Sequence, residues 1–376
     1  MRQVCYVSGT RADFGLMSAT LRRILADPRL HLGVLVTGMH LSPLYGETVR
    51  EIREAAFPIL AEVPLPDSKP SGAAMASGIA TMLEGFTRAL DAARPDVVLL
   101  LGDRGEMLAA AIAAIHLGIP VAHVHGGERS GSVDEPVRHA ISKLSHLHFT
   151  STAAARERLV RMGERADRVW VTGAPGLDGI RDLEVADKAT LRAEAGFTAD
   201  LPLALALFHP VVNDPVSPAA QVRALLQGAR AAGCNVLVLQ PNSDAGAAEI
   251  REVLTELERT EGLAVRTHLA RDRFLSWMAQ CDVMIGNSSS GIIEAASFGT
   301  PVVNVGNRQN LREAGANVVT VPPDEASITA AIGAVLRNPP PKPTNIYGDG
   351  HAGERIVELL ATVELGHTLL AKCNAY

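Results

Sequence analysis

Two stretches hold most of the groups able to do chemistry. The first is 123–148, HVHGGERSGSVDEPVRHAISKLSHLH. It gathers His123, His125, Glu128, Arg129, Asp134, Glu135, Arg138 and His139 around a Gly-Gly pair. A structural loop rarely needs so many titratable groups. Carboxylates beside imidazoles can be driven to different pKa values, which places an acid and a base in one pocket. His123 and His125 alternate at the end of an apolar run, so they are expected to face opposite sides, one of them packed in the core. His146 and His148 are expected at a helix end, as neutral structural residues. No HExxH or Cys/His spacing is present, so no metal is indicated, and no cofactor is called for.

The second stretch is 281–308, CDVMIGNSSSGIIEAASFGTPVVNVGNR. An apolar run at 283–285 leads into a small polar loop at 286–291. A helical pattern at 292–298 ends at Gly-Thr-Pro, and 302–305 reads as the next strand. Where strand gives way to helix, free N–H groups and the positive end of the dipole favour phosphate. Glu294 has Gly291 three residues before it, so no capping box explains it. It can accept both hydroxyls of a ribose, or only complement the helix dipole. Both readings are open.

Single residues complete the set. Asp103-Arg104 directly follows the apolar run 97–101. The pair reads as a turn with a surface ion pair, or as a functional group at the carboxyl rim of a strand; its position favours the rim. His209 ends another apolar run, and Asn242 and Ser243 hold the equivalent place one strand along. Arg11 and Arg308 are the cations suited to a diphosphate, because a planar guanidinium grips phosphate oxygens two at a time.

A scaffold must bring these residues to one edge. Strand patterns at 4–7, 32–37, 97–101 and 120–124 alternate with helical patterns at 16–25, 68–93 and 107–117. A second series starts near 201, with strands at 203–208, 235–239, 263–267, 283–285 and 302–305 and helices at 219–232 and 247–258. This alternation predicts an α/β chain of two Rossmann-like, doubly wound parallel sheets. The polar clusters 8–15, 38–40, 102–106 and 125–139 then fall at strand carboxyl ends, and a ligand is expected in the cleft between the two halves. The domains are expected at 1–180 and 181–353, joined by a charged, loop-like segment around 178–200. The last helix, within 353–376, is expected to pack back on the first domain.

Composition narrows the partners. A chain of 376 residues, 47% of them apolar, suits two domains with ample core. A net charge of −6 argues against nucleic acid. The cysteines at 5, 234, 281 and 373 show no paired spacing, so no disulfide framework is expected. No apolar stretch reaches the ~20 residues of a membrane helix, and 1–15 holds no signal-peptide run. A soluble cytoplasmic protein without a membrane partner is expected.

The assembled residues resemble the UDP-N-acetylglucosamine 2-epimerase family, in its hydrolysing branch that feeds synthesis of sialic and related nonulosonic acids. The resemblance is carried by SGTRADFG (8–15), GDR (102–104), HVHGGERSGSVDEPVRHAISKLSH (123–146), FHP (208–210), PNSDAG (241–246), GNSSSGIIEAASFGTPVVNVGNRQ (286–309) and 351–355. The non-hydrolysing branch is expected to show Arg-Pro-Glu near Arg11 and Glu-Ala-Gly near His125, and this chain does not. The resemblance implies two domains facing across a cleft in the GT-B manner, with the nucleotide held mainly by the second. It implies UDP contacts at Arg11, His209, Asn242, His268, Ser288, Ser289, Glu294 and Arg308. Arg104, Arg138, Ser290 and Gly291 join them as substrate-binding candidates.

For catalysis it implies Asp103 and Asp134, with His125, Glu128 and His209 beside them. The implied reaction eliminates UDP across C1–C2 to give a 2-acetamidoglycal, then adds water to give the free sugar inverted at C2. His125 stands where the family usually carries Glu, and Gly15 where some members carry Ser. The His is expected to go with a 2,4-diacetamido-2,4,6-trideoxyhexose of the bacillosamine type, on the legionaminic-acid route, rather than N-acetylglucosamine. The implied assembly is a homodimer or homotetramer. Two rival classes share the scaffold. One is a GT-B glycosyltransferase using a UDP-sugar, which would need an acceptor. The other is a nucleotide-sugar sensor that binds without turnover.

Overall fold

The computed structural model describes residues 1–66, 71–130, 133–211, 214–341 and 344–375. Of the expected helix 68–93, positions 68–70 lie outside the described residues; the rest is a helix at Gly72–Ala93.

The first sheet contains β1 (Arg2–Ser8), β2 (Leu30–Thr37), β3 (Ile59–Val63), β4 (Val97–Leu101), β5 (Val121–Val124), β6 (Leu147–Thr150) and β7 (Val169–Val171). Its order is 3-2-1-4-5-6-7, with parallel pairing throughout. The second sheet contains β8 (Leu203–Leu207), β9 (Asn235–Leu239), β10 (Ala264–Arg266), β11 (Val283–Gly286), β12 (Val302–Val305) and β13 (Val318–Val321). Its order is 10-9-8-11-12-13, again parallel.

The strands are apolar on both faces because helices cover both. Val97, Leu99 and Leu101 belong to one core of the first sheet, and Val98 and Leu100 to the core on its other face. Leu203, Leu205 and Leu207 likewise separate from Ala204 and Ala206 in the second sheet. Each fully buried Leu or Val contributes about 2 kcal/mol. Strand order reverses between β1 and β4 and again between β8 and β11, and a crevice opens at the carboxyl ends at such a point.

Several elements differ from expectation, each for a local reason. The first helix begins at Arg11, not 16, because Thr10 and Asp13 form a reciprocal capping box. The join at 178–200 is not all loop: Asp187 caps a helix at Lys188–Ala195. The helix expected at 292–298 begins earlier, at Ser289–Ile293, breaks at Glu294 and resumes at Ala295–Phe298. His146 and His148 are not at a helix end. The helix Asp134–Leu144 stops before both, and His148 lies inside β6.

The expected last helix is two pieces, Ala352–Thr362 and His367–Leu370. Ile356, Val357, Leu360 and Leu369 enter the core of the first sheet. The Asp178 carboxylate accepts the amides of Ala352 at 2.9 Å and Gly353 at 2.7 Å, fixing the start of that return.

Candidate active site

Three segments meet at the reversal of the first sheet: Gly9-Thr10-Arg11 after β1, Gly102-Asp103-Arg104 after β4, and the turn from His125 to Glu128 after β5. The turn is forced by close packing. Gly127 has φ +77°, and a Cβ there would collide with the Ala155 carbonyl. His125 itself has φ +64°, so strand alternation no longer governs where its ring points.

Asp103 is held from behind. The Arg138 guanidinium pairs with its Oδ2 and also donates to the Glu128 carbonyl at 3.1 Å. Arg138 comes from the helix Asp134–Leu144 and its side chain is only 1% exposed, which places it beneath Asp103 rather than on the cleft surface. Burial pushes its guanidinium down to about 10. His123 is the packed histidine. Its Nε2 lies 2.7 Å from the Gly102 carbonyl and its Nδ1 3.1 Å from Ser142 Oγ. Burial pushes its imidazole down to about 3, so the ring is neutral.

His125 and Glu128 form a hydrogen-bonded pair, His125 Nδ1 to Glu128 Oε1, at 2.6 Å. Ser151 Oγ donates to the same oxygen at 2.5 Å, and the Arg312 guanidinium pairs with the other. Both oxygens of this carboxylate are thus engaged. The network assigns the His125 proton to Nδ1 and leaves Nε2 as the basic nitrogen. Burial, with Arg312 next, pushes the imidazole down to about 3 and keeps it neutral. A neutral imidazole oriented by a carboxylate is equipped to accept a proton.

The second sheet presents the opposite wall. His209, after β8, donates its amide to Asn287 Oδ1 at 2.7 Å, and Asn287 Nδ2 returns to the His209 carbonyl at 2.8 Å. His209 Nδ1 accepts the Asn242 amide at 3.2 Å. Burial and the neighbouring Arg308 hold its ring neutral. Ser288 caps the short helix after β11, and its Oγ lies 2.8 Å from Ser290 Oγ. At Gly291 a Cβ would come within 3.1 Å of a Val302 methyl, a tight fit. Ser289 opens that helix beside them.

Glu294 sits at the break, closing the five-residue helix and heading the four-residue one, and Arg271 pairs with its Oε1. Arg271 also donates to the Gly176 carbonyl at 2.8 Å. Glu294 is thereby fixed, 2% exposed, at the seam between the two sheets.

Ion pairs cross that seam. Arg104 reaches Asp244 Oδ1 and Ser243 Oγ, each at 3.2 Å. Arg308 Nη2 lies 3.6 Å from Asp134 Oδ2, while its Nη1 donates to the Asn287 carbonyl at 3.2 Å. Thr152 Oγ1 donates to Glu313 Oε2 at 2.6 Å. Arg11 pairs with Glu51 at 2.8 Å, and His268 Nε2 lies 3.8 Å from the same Glu51. Asp103 and Asp134 each keep about a quarter of the side chain open, 24%. Among the described residues, no cluster of three or more His, Cys, Asp or Glu could hold a metal ion, and no helix is long and apolar enough to cross a membrane.

Hydrogen bonds and ion pairs thus link Asp103, Arg138, Glu128 and His125 in one group, Arg104, Asn242, His209, Arg308 and Asp134 in a second, and Arg11 with His268 through Glu51 in a third. Sequence reasoning missed Arg312, Ser151, Arg271, Asp244 and Glu51. Arg312 lies four residues beyond Arg308, but nothing local distinguishes it from a surface arginine. Its partner is 184 positions away.

The family profile described as UDP-N-acetylglucosamine 2-epimerase matches residues 22–361. A UDP-N,N'-diacetylbacillosamine 2-epimerase (hydrolyzing) from Legionella pneumophila is 48% identical over 376 residues, covering 100% of both chains. A GDP/UDP-N,N'-diacetylbacillosamine 2-epimerase (hydrolyzing) from Campylobacter jejuni is 32% identical over 322 residues, 85% of this chain and 84% of that one. Among solved structures, a UDP-GlcNAc 2-epimerase from Neisseria meningitidis bound to UDP-GlcNAc superposes with a TM-score of 0.80 at 19% identity. It covers 95% of this chain and 99% of that one, a likeness of fold.

Proposed function

This chain belongs to the UDP-N-acetylglucosamine 2-epimerase family, and on that premise we propose that it is a hydrolysing epimerase of UDP-N,N'-diacetylbacillosamine. The products are UDP and the free manno-configured diacetamido sugar, a precursor suited to nonulosonic acid synthesis. The full-length similarity to the Legionella enzyme supports the choice of sugar. The carrying observation is the cleft itself. Cations from both sheets, Arg104 and Arg308, converge beside the acids Asp103 and Asp134 and the oriented base His125.

The nucleotide lies against the second sheet. Glu294 accepts the ribose hydroxyls, and His209, Asn242 and His268 line the same wall. Arg11, Arg104, Arg308 and the Ser288–Ser290 loop take the diphosphate. In the first stage His125 Nε2 removes the C2 proton. The C1–O bond breaks, its electron pair leaves with UDP, and a C1–C2 double bond forms. The arginines stabilise the charge that builds on the departing phosphate. In the second stage water adds its hydroxyl to C1 while a proton arrives at C2 from the opposite face. Asp103 and Asp134 flank that space and serve as proton donor and acceptor. Glu128 orients His125 and takes no proton, since both its oxygens are already engaged.

The test is product analysis by proton NMR in D₂O, on the UDP-linked diacetamido sugar, its GDP-linked form and UDP-N-acetylglucosamine. Free sugar of inverted C2 configuration with deuterium at C2 is expected, fastest from the UDP-linked diacetamido substrate. No free sugar from any of the three, or transfer only to an added acceptor, would overturn the proposal.

A further inference from the structure

We propose that Arg312, supplied by the second sheet, is a positioning residue that readies the His125 imidazole of the first sheet as a base. The inference rests on the role given to His125 above. It adds that the base is assembled only when the two sheets are closed on each other.

Arg312 is built into the rim of the second sheet. Its Nε donates to Gln309 Oε1 at 2.9 Å, and Gln309 Nε2 donates to the Asn287 carbonyl at 2.9 Å. From there it crosses the seam to Glu128, with only 7% of its side chain and 4% of the Glu128 side chain exposed. A buried pair is a poor stabiliser, because desolvation offsets much of the attraction. Its effect here is on the group beyond it. Glu128 holds His125 Nδ1 at 2.6 Å, and Ser151 fixes the carboxylate from the side.

The charged and titratable groups facing the His125 ring are Glu128 and Arg312 directly, Glu294 from the break after β11, and His123 on its own strand. With Arg312 in place, the charge of Glu128 is largely neutralised and the ring stays neutral with Nε2 unprotonated. Without Arg312, Glu128 acts on the ring alone and favours a second proton on Nε2, so proton abstraction fails at a higher pH than with the pair intact. Separating the sheets has the same consequence.

The experiment is NMR of protein labelled at histidine ¹³Cε1, with the His125 resonance identified by its loss in His125→Gln. Arg312→Gln is expected to raise the His125 titration midpoint by roughly one pH unit or more relative to wild type. Arg312→Lys, which keeps charge and packing, is expected to fall between them and carries the comparison should Arg312→Gln not fold. In turnover, the acid limb of kcat/KM should move up with the midpoint, while KM changes by less than about 3-fold. An unmoved midpoint overturns the inference. So does a raised KM with an unchanged acid limb, which would make Arg312 a diphosphate contact. The midpoint is read without turnover. An inactive wild type therefore counts against the epimerase proposal, and the Arg312 assignment is judged separately.

Discussion

Asp103 and Asp134 illustrate how a residue's chemistry depends on what stands behind it. Asp103 is pinned by Arg138, and Asp134 faces Arg308. Both remain partly open to the cleft, so their charge is positioned without being hidden. Asp103→Asn and Asp134→Asn keep the shape and remove the proton-transfer capacity. Each is expected to lower kcat by about 10²- to 10⁴-fold, with UDP affinity, measured by titration calorimetry, changed by less than about 3-fold. A binding-only role would instead weaken UDP and leave any turnover proportional to occupancy. Glu294→Ala should behave in the opposite way. It removes the proposed ribose acceptor and leaves Arg271 without its partner, so UDP binding is expected to weaken by about 10-fold or more with a fall of only a few degrees in melting temperature. A collapse of stability with intact UDP binding would give Glu294 a purely structural role. At this scale the sequence was readable wherever a residue ends a strand, as Asp103 and His209 do. It was not readable for Arg138, whose type suggested a substrate contact, because its burial depends on a helix packing over the rim.

The helix Asp134–Leu144 carries Asp134 at one end and Arg138 one turn on, so its placement sets Asp134 directly and Asp103 through Arg138. Its far end is held by the chain terminus. Lys372 Nζ donates to the carbonyls of Ser142, Lys143 and Ser145 at 3.1, 2.9 and 2.5 Å. The same ammonium pairs with Glu164 Oε2 at 2.6 Å, and His148 Nε2 lies 3.0 Å from that oxygen. A cation at a helix carboxyl end is favourable in itself, and a buried one with a carboxylate partner is costly to remove. Lys372→Met is expected to cost about 3 kcal/mol in urea unfolding, with a fall in kcat as the helix loosens. An effect within about 0.5 kcal/mol would show that the terminus is a passive neighbour. Glu164 adds a pH signature. Burial opposes its charge, but His148, Lys143 and Lys372 outweigh burial and bring it down to about 2 from an ordinary 4.5. Its stabilisation is therefore complete above pH ~4.5 and disappears as pH falls toward ~2, a slope that Glu164→Gln should flatten. The strands that escaped sequence reading are β3, β6, β7 and β13: three are sheet edges with part-exposed patterns, and β6 carries His148 and Thr150, so none shows the five-residue apolar run of β4 or β8.

Across the whole molecule, two parallel sheets share one strand order over six strands and meet across the seam. The strand order was not legible, but two parallel sheets with a cleft between them followed from the alternation of apolar runs with helical patterns. The pairing across the gap did not, because it is decided by which arginine of one rim meets which acid of the other. Arg104 with Asp244 and Arg308 with Asp134 tie the two rims together through the cations proposed above for the diphosphate. On that proposal a diphosphate competes with those carboxylates, so part of its binding energy is offset by the pairs it breaks. Asp244→Asn removes one competitor while keeping its size and its bond with Asn242. If the cations are shared in this way, Asp244→Asn should bind UDP more tightly, by roughly 5-fold or about 1 kcal/mol, with the largest gain at low ionic strength. Calorimetric titration at two salt concentrations reads this directly. Unchanged or weaker binding would mean that Asp244 aligns Arg104 for the phosphate instead of competing for it, and the cleft would then be preorganised and not self-occupied.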